Sequence, residues 1–382
     1  MTARRILYVQ FTDPAGFPPI EHSTRLLADR GWDVLLLGTG TFPIQDFQFP
    51  THARIRLKKI AFVQGGFRQK LLYVYFFFWT LYWTLRWKPE WIYASDALVC
   101  PIVCMIQKIV DVRVIYHEHD SPDVDRESSR FMKMIHAYRD KLGRDATLCV
   151  LPQEDRLRQF LDTTKRTKST FCVWNCPRLD EIPNLAAHPK PELVIYYHGS
   201  ITPSRLPPTL IVAASRFGGA VRLKIAGFEV LGAVGYLQEL LKMASDCGVP
   251  GLVKPLGKIT PRRKLFQFAS MADVGLSFIP TTAHDVNLRY MVGASNKVFD
   301  YMACGLPLLV SNGPEWVSTF VEPGFARACN PDDVDEIEVA LRWYLDHPDE
   351  RREMGRKCQK KIQQAWNYEA MFASVVSEIE RN

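Results

Sequence analysis

The residues Ser295-Asn296-Lys297-Val298-Phe299-Asp300-Tyr301-Met302-Ala303-Cys304-Gly305-Leu306-Pro307 open on a polar cap and continue as a helix. The first-turn amides of such a helix point outward, and with its dipole they attract phosphate. Asp300 stands one turn beyond Asn296, within reach of a ribose diol if a phosphate sits at the helix start. The plainer reading is a capped helix with Lys297 in solvent. A second candidate is Tyr196-Tyr197-His198-Gly199-Ser200 with Arg205. It is expected to close a strand at Tyr197, after which Gly199 lets phosphate oxygens approach the backbone and Arg205 pairs with them. A third is His117-Glu118-His119-Asp120, four ionisable residues at the expected carboxyl end of a strand, a grouping that favours a functional site over a lone structural histidine.

These segments need elements to place them. Arg5 to Phe11 reads as a buried strand, His22 to Arg30 as a helix ending at Gly31, and Val34 to Leu37 as a second strand, a βαβ opening. The turn after the first strand, Thr12 to Pro19, holds one useful glycine, Gly16, and no GxGxxG, so it fails as a dinucleotide fingerprint. Strand-like runs at Trp91–Ala94, Arg113–Tyr116 and Thr147–Leu151 alternate with helical stretches. After the Pro-punctuated stretch Ile182 to Glu192 the alternation restarts at Leu193 and becomes mainly helical from Asp332. The expectation is an α/β chain of two doubly wound domains: 1–185, with a carboxyl-terminal helix 362–382 packing back on it, and 186–361. Open sheets of this kind bind ligands at the carboxyl ends of their strands, which puts the expected site in a cleft between the domains.

The length of 382 residues, 47% of them hydrophobic and 23% charged, excludes a disordered or collagen-like chain. Nine cysteines without a CxxC pair argue against a zinc site or disulfides, and the largely apolar run of six residues after Arg5, Ile6 to Phe11, is too short for a signal peptide, so a reducing cytoplasm is expected. The net charge of +7 is uneven: residues 1–185 carry 26 Lys and Arg against 20 Asp and Glu. Residues 51–88 contain eight basic side chains (Arg54, Arg56, Lys58, Lys59, Arg68, Lys70, Arg86, Lys88) and no acid, a patch that suits an anionic partner. Within it, Leu71 to Trp87 holds nine aromatic residues in seventeen. That run is short for a bilayer span of roughly 20 residues. It suits either a helix buried under the first sheet or one dipping into an anionic membrane surface. No nucleic-acid reading motif accompanies the patch.

Taken together, the segment 295–307 resembles the nucleotide-sugar motif of family 4 glycosyltransferases, a group with the GT-B fold, with Asp300 at its second acidic position. Tyr197-His198-Gly199 to Arg205 is similar to that family's first loop of the second domain, where a basic residue contacts the donor diphosphate. Arg352 to Gly355 and Trp366 to Glu369 look like its final helices. The resemblance implies two Rossmann-like domains facing an interdomain cleft and a donor site built from Gly16, Gly199, Ser200, Arg205, Gly293, Ser295, Asn296, Lys297 and Asp300. It makes His119 the residue beside the transferred sugar, with Asp120 and Glu118 as candidate bases should the reaction invert. Two positions depart from the pattern: Val292 stands where the family has its first Glu, and Ser200 where it often has Arg. The backbone amides of Val292, Gly293 and Ala294 are the expected substitute for that Glu.

The implied reaction is hexosyl transfer from a UDP-, GDP- or dTDP-sugar to a saccharide or lipid-linked acceptor in cell-envelope or exopolysaccharide biosynthesis. The protein would be cytoplasmic or peripheral on the inner face of the cytoplasmic membrane. The resemblance implies retention of anomeric configuration. Stabilising the leaving diphosphate is the main electrostatic task, and Arg205, Lys297 and nearby amides suffice for it without a metal or cofactor. Two other classes fit the same site: a GT-B nucleotide-sugar epimerase, and a catalytically silent nucleotide-sugar-binding subunit.

Overall fold

The computed structural model describes residues 4–40, 48–63, 65–122, 129–185, 192–280 and 285–381. They form two compact units, one of residues up to Asn175 together with those from Tyr368 onward, the other Cys176–Asn367.

The first unit is built on strands β1 (Arg5–Gln10), β2 (Asp33–Thr39), β3 (Ile55–Ile60), β4 (Trp91–Ser95), β5 (Arg113–His117), β6 (Leu148–Leu151) and β7 (Thr170–Cys172). They pair in parallel in the order β3-β2-β1-β4-β5-β6-β7. Its helices are α1 (Pro18–Asp29), α2 (Phe67–Trp87), α3 (Cys100–Ile106), α4 (Arg130–Asp145) and α5 (Glu154–Thr164), joined by α14 (Tyr368–Met371) and α15 (Ala373–Arg381). The strands read as continuous apolar runs because both sheet faces are covered. Successive residues alternate between two cores. Leu7, Val9, Leu35 and Ile92 pack with Phe76 of α2 and Leu142 of α4. Ile6, Tyr8, Val34 and Tyr93 pack with Ile20 of α1 and with Phe372 and Val376. The carboxyl terminus is tied to this unit by Tyr368, whose hydroxyl donates to the Pro19 carbonyl at 3.1 Å. Arg30 also donates to both carboxylate oxygens of Glu380, at 2.9 and 3.0 Å.

The second unit has strands β8 (Leu193–Ile201), β9 (Val221–Glu229), β10 (Val253–Gly257), β11 (Val274–Ser277), β12 (Leu308–Ser311) and β13 (Ala326–Cys329), parallel in the order β10-β9-β8-β11-β12-β13. Its helices are α6 (Pro208–Ser215), α7 (Tyr236–Asp246), α8 (Arg262–Ala269), α9 (Val286–Arg289), α10 (Asn296–Ala303), α11 (Pro314–Trp316), α12 (Val334–Asp346) and α13 (Pro348–Gln364). The strand order of each sheet turns back at its first strand, between β1 and β4 and between β8 and β11, the switch points where loops diverge.

Two expectations are adjusted. The stretch after Asn175 already belongs to the second unit: Gln359 donates to the Pro183 carbonyl at 2.9 Å, and Glu181 accepts from Arg262 at 2.8 Å. Part of the Pro-punctuated stretch, residues 186–191, lies outside the described residues. The strand expected to end at Tyr197 runs on to Ile201, because β9 pairs with it in register as far as Ile201 opposite Glu229.

Candidate functional site

Each unit carries a polar cluster at the carboxyl ends of its central strands. In the second unit β8 keeps its ladder through Gly199, whose φ of +128° suits glycine. Gly227 stands opposite it on β9, and a Cβ there would lie 1.9 Å from the Gly199 carbonyl oxygen. The two backbones therefore approach more closely than side chains permit. The space above Gly199 is filled by Lys297, the second residue of α10. A Cβ on residue 199 would lie 2.3 Å from Lys297 Cε. The ammonium sits 5.3 Å from the centroid of the Tyr197 ring. Arg205, in the loop after β8, is held by its own N–H donating to the Thr202 carbonyl at 3.0 Å. Burial first, and the nearby Arg205 charge second, push the Lys297 ammonium down to about 7. Burial likewise lowers Arg205. Neither cation has an acidic partner within salt-bridge distance among the described residues. Two half-buried cations in this state attract an anion.

The start of α10 adds donors. Ser295 stands at the N-cap position but makes no side-chain capping bond. The Asn296 Oδ1 atom is buried without a partner. Of the amides expected to replace the missing Glu, Ala294 is already committed: its N–H and that of Ser295 donate to the Met291 carbonyl at 3.0 and 2.9 Å. Val292 is buried and Gly293 has φ +83°. Ser200 contributes through its backbone, its carbonyl accepting the Tyr197 hydroxyl at 2.5 Å.

The Asp300 side chain is 2% exposed and engaged within the second unit. Both oxygens accept from Arg262 of α8, at 3.0 and 2.5 Å, and His198 Nε2 lies 3.3 Å from one of them. Arg262 in turn donates to Glu181 at 2.8 Å. The physical reason is that α10 is buried all round from Val298 to Ala303, so a carboxylate at 300 must be paired. Arg262 and Glu181 escaped sequence reading because their partners lie 38 and 81 residues away.

In the first unit, His119 is buried just past β5 and fixed on three sides. Its Nε2 lies 3.0 Å from Ser95 Oγ. Its N–H donates to Asp96 Oδ1 and its carbonyl accepts from Arg156 Nη1, both at 3.0 Å. Its ring centroid is 3.9 Å from that of His117, which in turn lies 2.5 Å from the Tyr93 hydroxyl through Nδ1. Burial pushes the His119 imidazole down to about 3, so it is neutral at ordinary pH, and its buried Nδ1 has no partner. A neutral imidazole with a spare ring nitrogen can hydrogen-bond a substrate hydroxyl. Asp96 and Arg156 were not singled out from sequence. The signals present were an acid directly after the apolar strand β4 and a basic residue in the first turn of α5. Asp96 adopts φ +68°, unusual for a non-glycine residue, and burial raises its carboxyl to about 7.

Three other expected residues fare differently. Glu118 is no free base: its carboxylate accepts from Arg139 at 2.6 and 2.7 Å and from the Tyr116 hydroxyl at 2.8 Å, all buried. A carboxylate with that many charge-assisted bonds is a structural anchor, which corrects its assignment as a catalytic candidate. Asp120 is mostly exposed, 3.9 Å from Arg156. Gly16 ends a short 3-10 turn (Pro14–Gly16) and is exposed, but its N–H donates to the Asp13 carbonyl at 3.2 Å, so that amide is committed to the turn.

With this geometry in place, comparison with known proteins defines the fold. Residues 215–377 match the family model described as "Glycosyl transferase-like". No curated protein matches. Among solved structures, HepE from Anabaena in complex with UDP and glucose is 14% identical, with 99% of this chain and 100% of that chain covered and a TM-score of 0.73. Sucrose-phosphate synthase from Thermosynechococcus elongatus is 15% identical over 99% and 98% of the two chains, with a TM-score of 0.74. WaaG, a glycosyltransferase involved in lipopolysaccharide biosynthesis, is 11% identical over 97% and 98%, with a TM-score of 0.64. The chain thus has the GT-B fold of two Rossmann-like units. The region matched by the family model lies mostly in the second unit and contains Lys297, Asp300 and Arg262.

Proposed function

We propose that this chain is a family 4-like glycosyltransferase that moves a hexose from a nucleoside-diphosphate sugar to a saccharide or lipid-linked acceptor in cell-envelope or exopolysaccharide biosynthesis. The observation that carries the reading is the convergence of Arg205 and Lys297, both partly desolvated and without a counter-ion among the described residues, beside Gly199. A diphosphate is the anion whose charge and size match two cations and an uncapped helix start. In glycosyl transfer the leaving diphosphate gains negative charge in the transition state, so these groups bind that state more tightly than the ground state and accelerate the reaction.

The proposed reaction retains anomeric configuration and proceeds without a metal. Arg205, Lys297 and the first-turn amides of α10 take the leaving-group charge, and the departing phosphate accepts the acceptor's proton. His119, neutral and with a spare ring nitrogen, hydrogen-bonds a hydroxyl of the transferred sugar. The engagement of Asp300 by Arg262 supports a division of labour in which ribose is held by groups other than that carboxylate.

A thermal-shift screen with UDP-, GDP- and dTDP-sugars tests this, UDP first because the HepE structure holds it. The expected result is stabilisation by one nucleotide series that is lost in Arg205→Ala. Absence of stabilisation by every nucleotide sugar, or an unchanged response in Arg205→Ala, overturns it. NMR of the product linkage tests retention, and turnover in a chelator tests metal independence.

A further inference from the structure

Sugar transfer as proposed leaves α2 without a task, and its surface is unlike the rest of the first unit. The helix buries Phe76, Thr80 and Thr84 against the sheet. On its opposite side Phe67, Leu71, Tyr75, Phe78, Tyr82 and Leu85 each keep more than half of their surface exposed. At the ordinary helical period these six fall within about 80° of arc and extend over about 27 Å. They form one continuous apolar stripe of a kind that water-facing surfaces seldom carry.

Cations border the stripe. The same helical period sets Arg68 and Arg86 along one flank and Lys70 along the other, with Lys88 just past the carboxyl end. On the neighbouring strand β3, Arg56 lies 5.4 Å from the Trp87 ring and Lys58 4.6 Å from the Trp83 ring, rings that the helical period turns away from the stripe toward the sheet side of α2. None of these six has an acidic partner within salt-bridge distance among the described residues, whereas Arg54 is paired with Asp33 and Lys59 with Asp13. Lysines and arginines on β3 also protect an edge strand from pairing with another chain. That role does not account for a stripe of exposed aromatic and aliphatic side chains beside them.

We propose that α2 is a docking surface for an anionic phospholipid membrane. The helix lies in the plane of the interface, with the stripe entering the boundary between headgroups and acyl chains and the four flanking cations, Arg68, Lys70, Arg86 and Lys88, meeting lipid phosphates. Apolar burial and attraction to negative lipid act together at such a surface, and aromatic rings are well suited to its depth. The helix does not cross the bilayer, since among the described residues no helix is long and apolar enough to span one. Charge complementarity selects this occupant: an apolar protein partner would explain the stripe but not the four uncompensated cations that flank it.

The test uses the full chain and vesicle flotation. The expected result is co-flotation with equimolar phosphatidylcholine and phosphatidylglycerol, little with phosphatidylcholine alone, and release by raised salt. Arg68→Glu with Lys70→Glu should weaken binding by about tenfold or more, on the usual contribution of each cation near an anionic surface. Leu71→Ser with Phe78→Ser should abolish it. All four positions are exposed, and an unchanged melting temperature confirms that the variants fold. Failure of the folded chain to float with anionic vesicles overturns the proposal. So does flotation indifferent to both double variants, or a stable dimer by light scattering that Leu71→Ser with Phe78→Ser dissolves. Flotation is read without any sugar donor, so a negative nucleotide-sugar screen would leave this result standing and the two readings fail separately.

Discussion

Lys297 occupies the space that a side chain on residue 199 would need, its Cε 2.3 Å from the position of a Cβ there. Glycine at 199 is thus required twice, by its φ of +128° and by the lysine above it. Gly199→Ala is expected to displace the Lys297 ammonium and weaken UDP binding by roughly tenfold or more, equivalent to about 1.4 kcal/mol. Calorimetric titration of UDP into wild type and variant checks this. Equal affinities would remove Lys297 from the donor site.

The Lys297 ammonium, lowered to about 7, gives donor binding a pH signature. Above that value most free protein holds Lys297 neutral, while a bound diphosphate favours the charged form. Binding near pH 8 should therefore take up a proton, and affinity should fall by up to about tenfold per pH unit above the free-protein value. Titrations in buffers of different ionisation enthalpy count the protons. Lys297→Met should abolish the uptake.

Glu118 anchors rather than reacts. Glu118→Gln leaves Arg139 buried with its main partner neutralised, a loss of about 3 kcal/mol. Denaturant unfolding should register that loss while turnover per folded molecule stays close to wild type. A collapse of turnover at unchanged stability would restore the catalytic assignment.

His119 presents the opposite case. It sits between Ser95, Asp96 and Arg156, which hold its backbone and one ring nitrogen but leave Nδ1 without a partner. His119→Ala should lower turnover by about 100-fold. The thermal shift given by UDP alone should persist, since the diphosphate cluster lies in the other unit. Loss of UDP binding would show that the histidine acts elsewhere.

Asp96 predicts a slope in stability. Its carboxyl is raised from 3.8 to about 7, chiefly by burial, so between those values the folded chain holds a proton that the unfolded chain has released. Stability should fall as pH rises through that window and level off above it. Asp96→Asn retains an acceptor oxygen for the His119 N–H but lacks the titration, so unfolding free energies measured across the window should lose the Asp96 contribution to the slope.

How much of this was legible in the chain differs by element. The buried strands of both sheets were readable because a sheet covered on two faces demands apolar residues at every position, and Ile6, Leu7, Tyr8 and Val9 supply them. The extension of β8 to Ile201 was not, because polar His198 and Ser200 look like loop until Gly227 is seen opposite Gly199. For α2, the run of aromatics announced a helix at an interface of some kind. Which of its faces meets protein depends on the packing of Phe76, Thr80 and Thr84, and that is invisible in composition.

The sequence by itself determined the class of architecture, the helix start at Asn296 and the basic residues available to an anion, because periodicity, capping and net charge are local properties. Tertiary structure decided which charges are spent and which remain. Asp300 and Glu118 are neutralised by arginines 38 and 21 residues away, while Arg205 and Lys297 meet across 92 residues of sequence with no acid between them. Pairing of buried charges is settled by distance in space, and no local pattern records it.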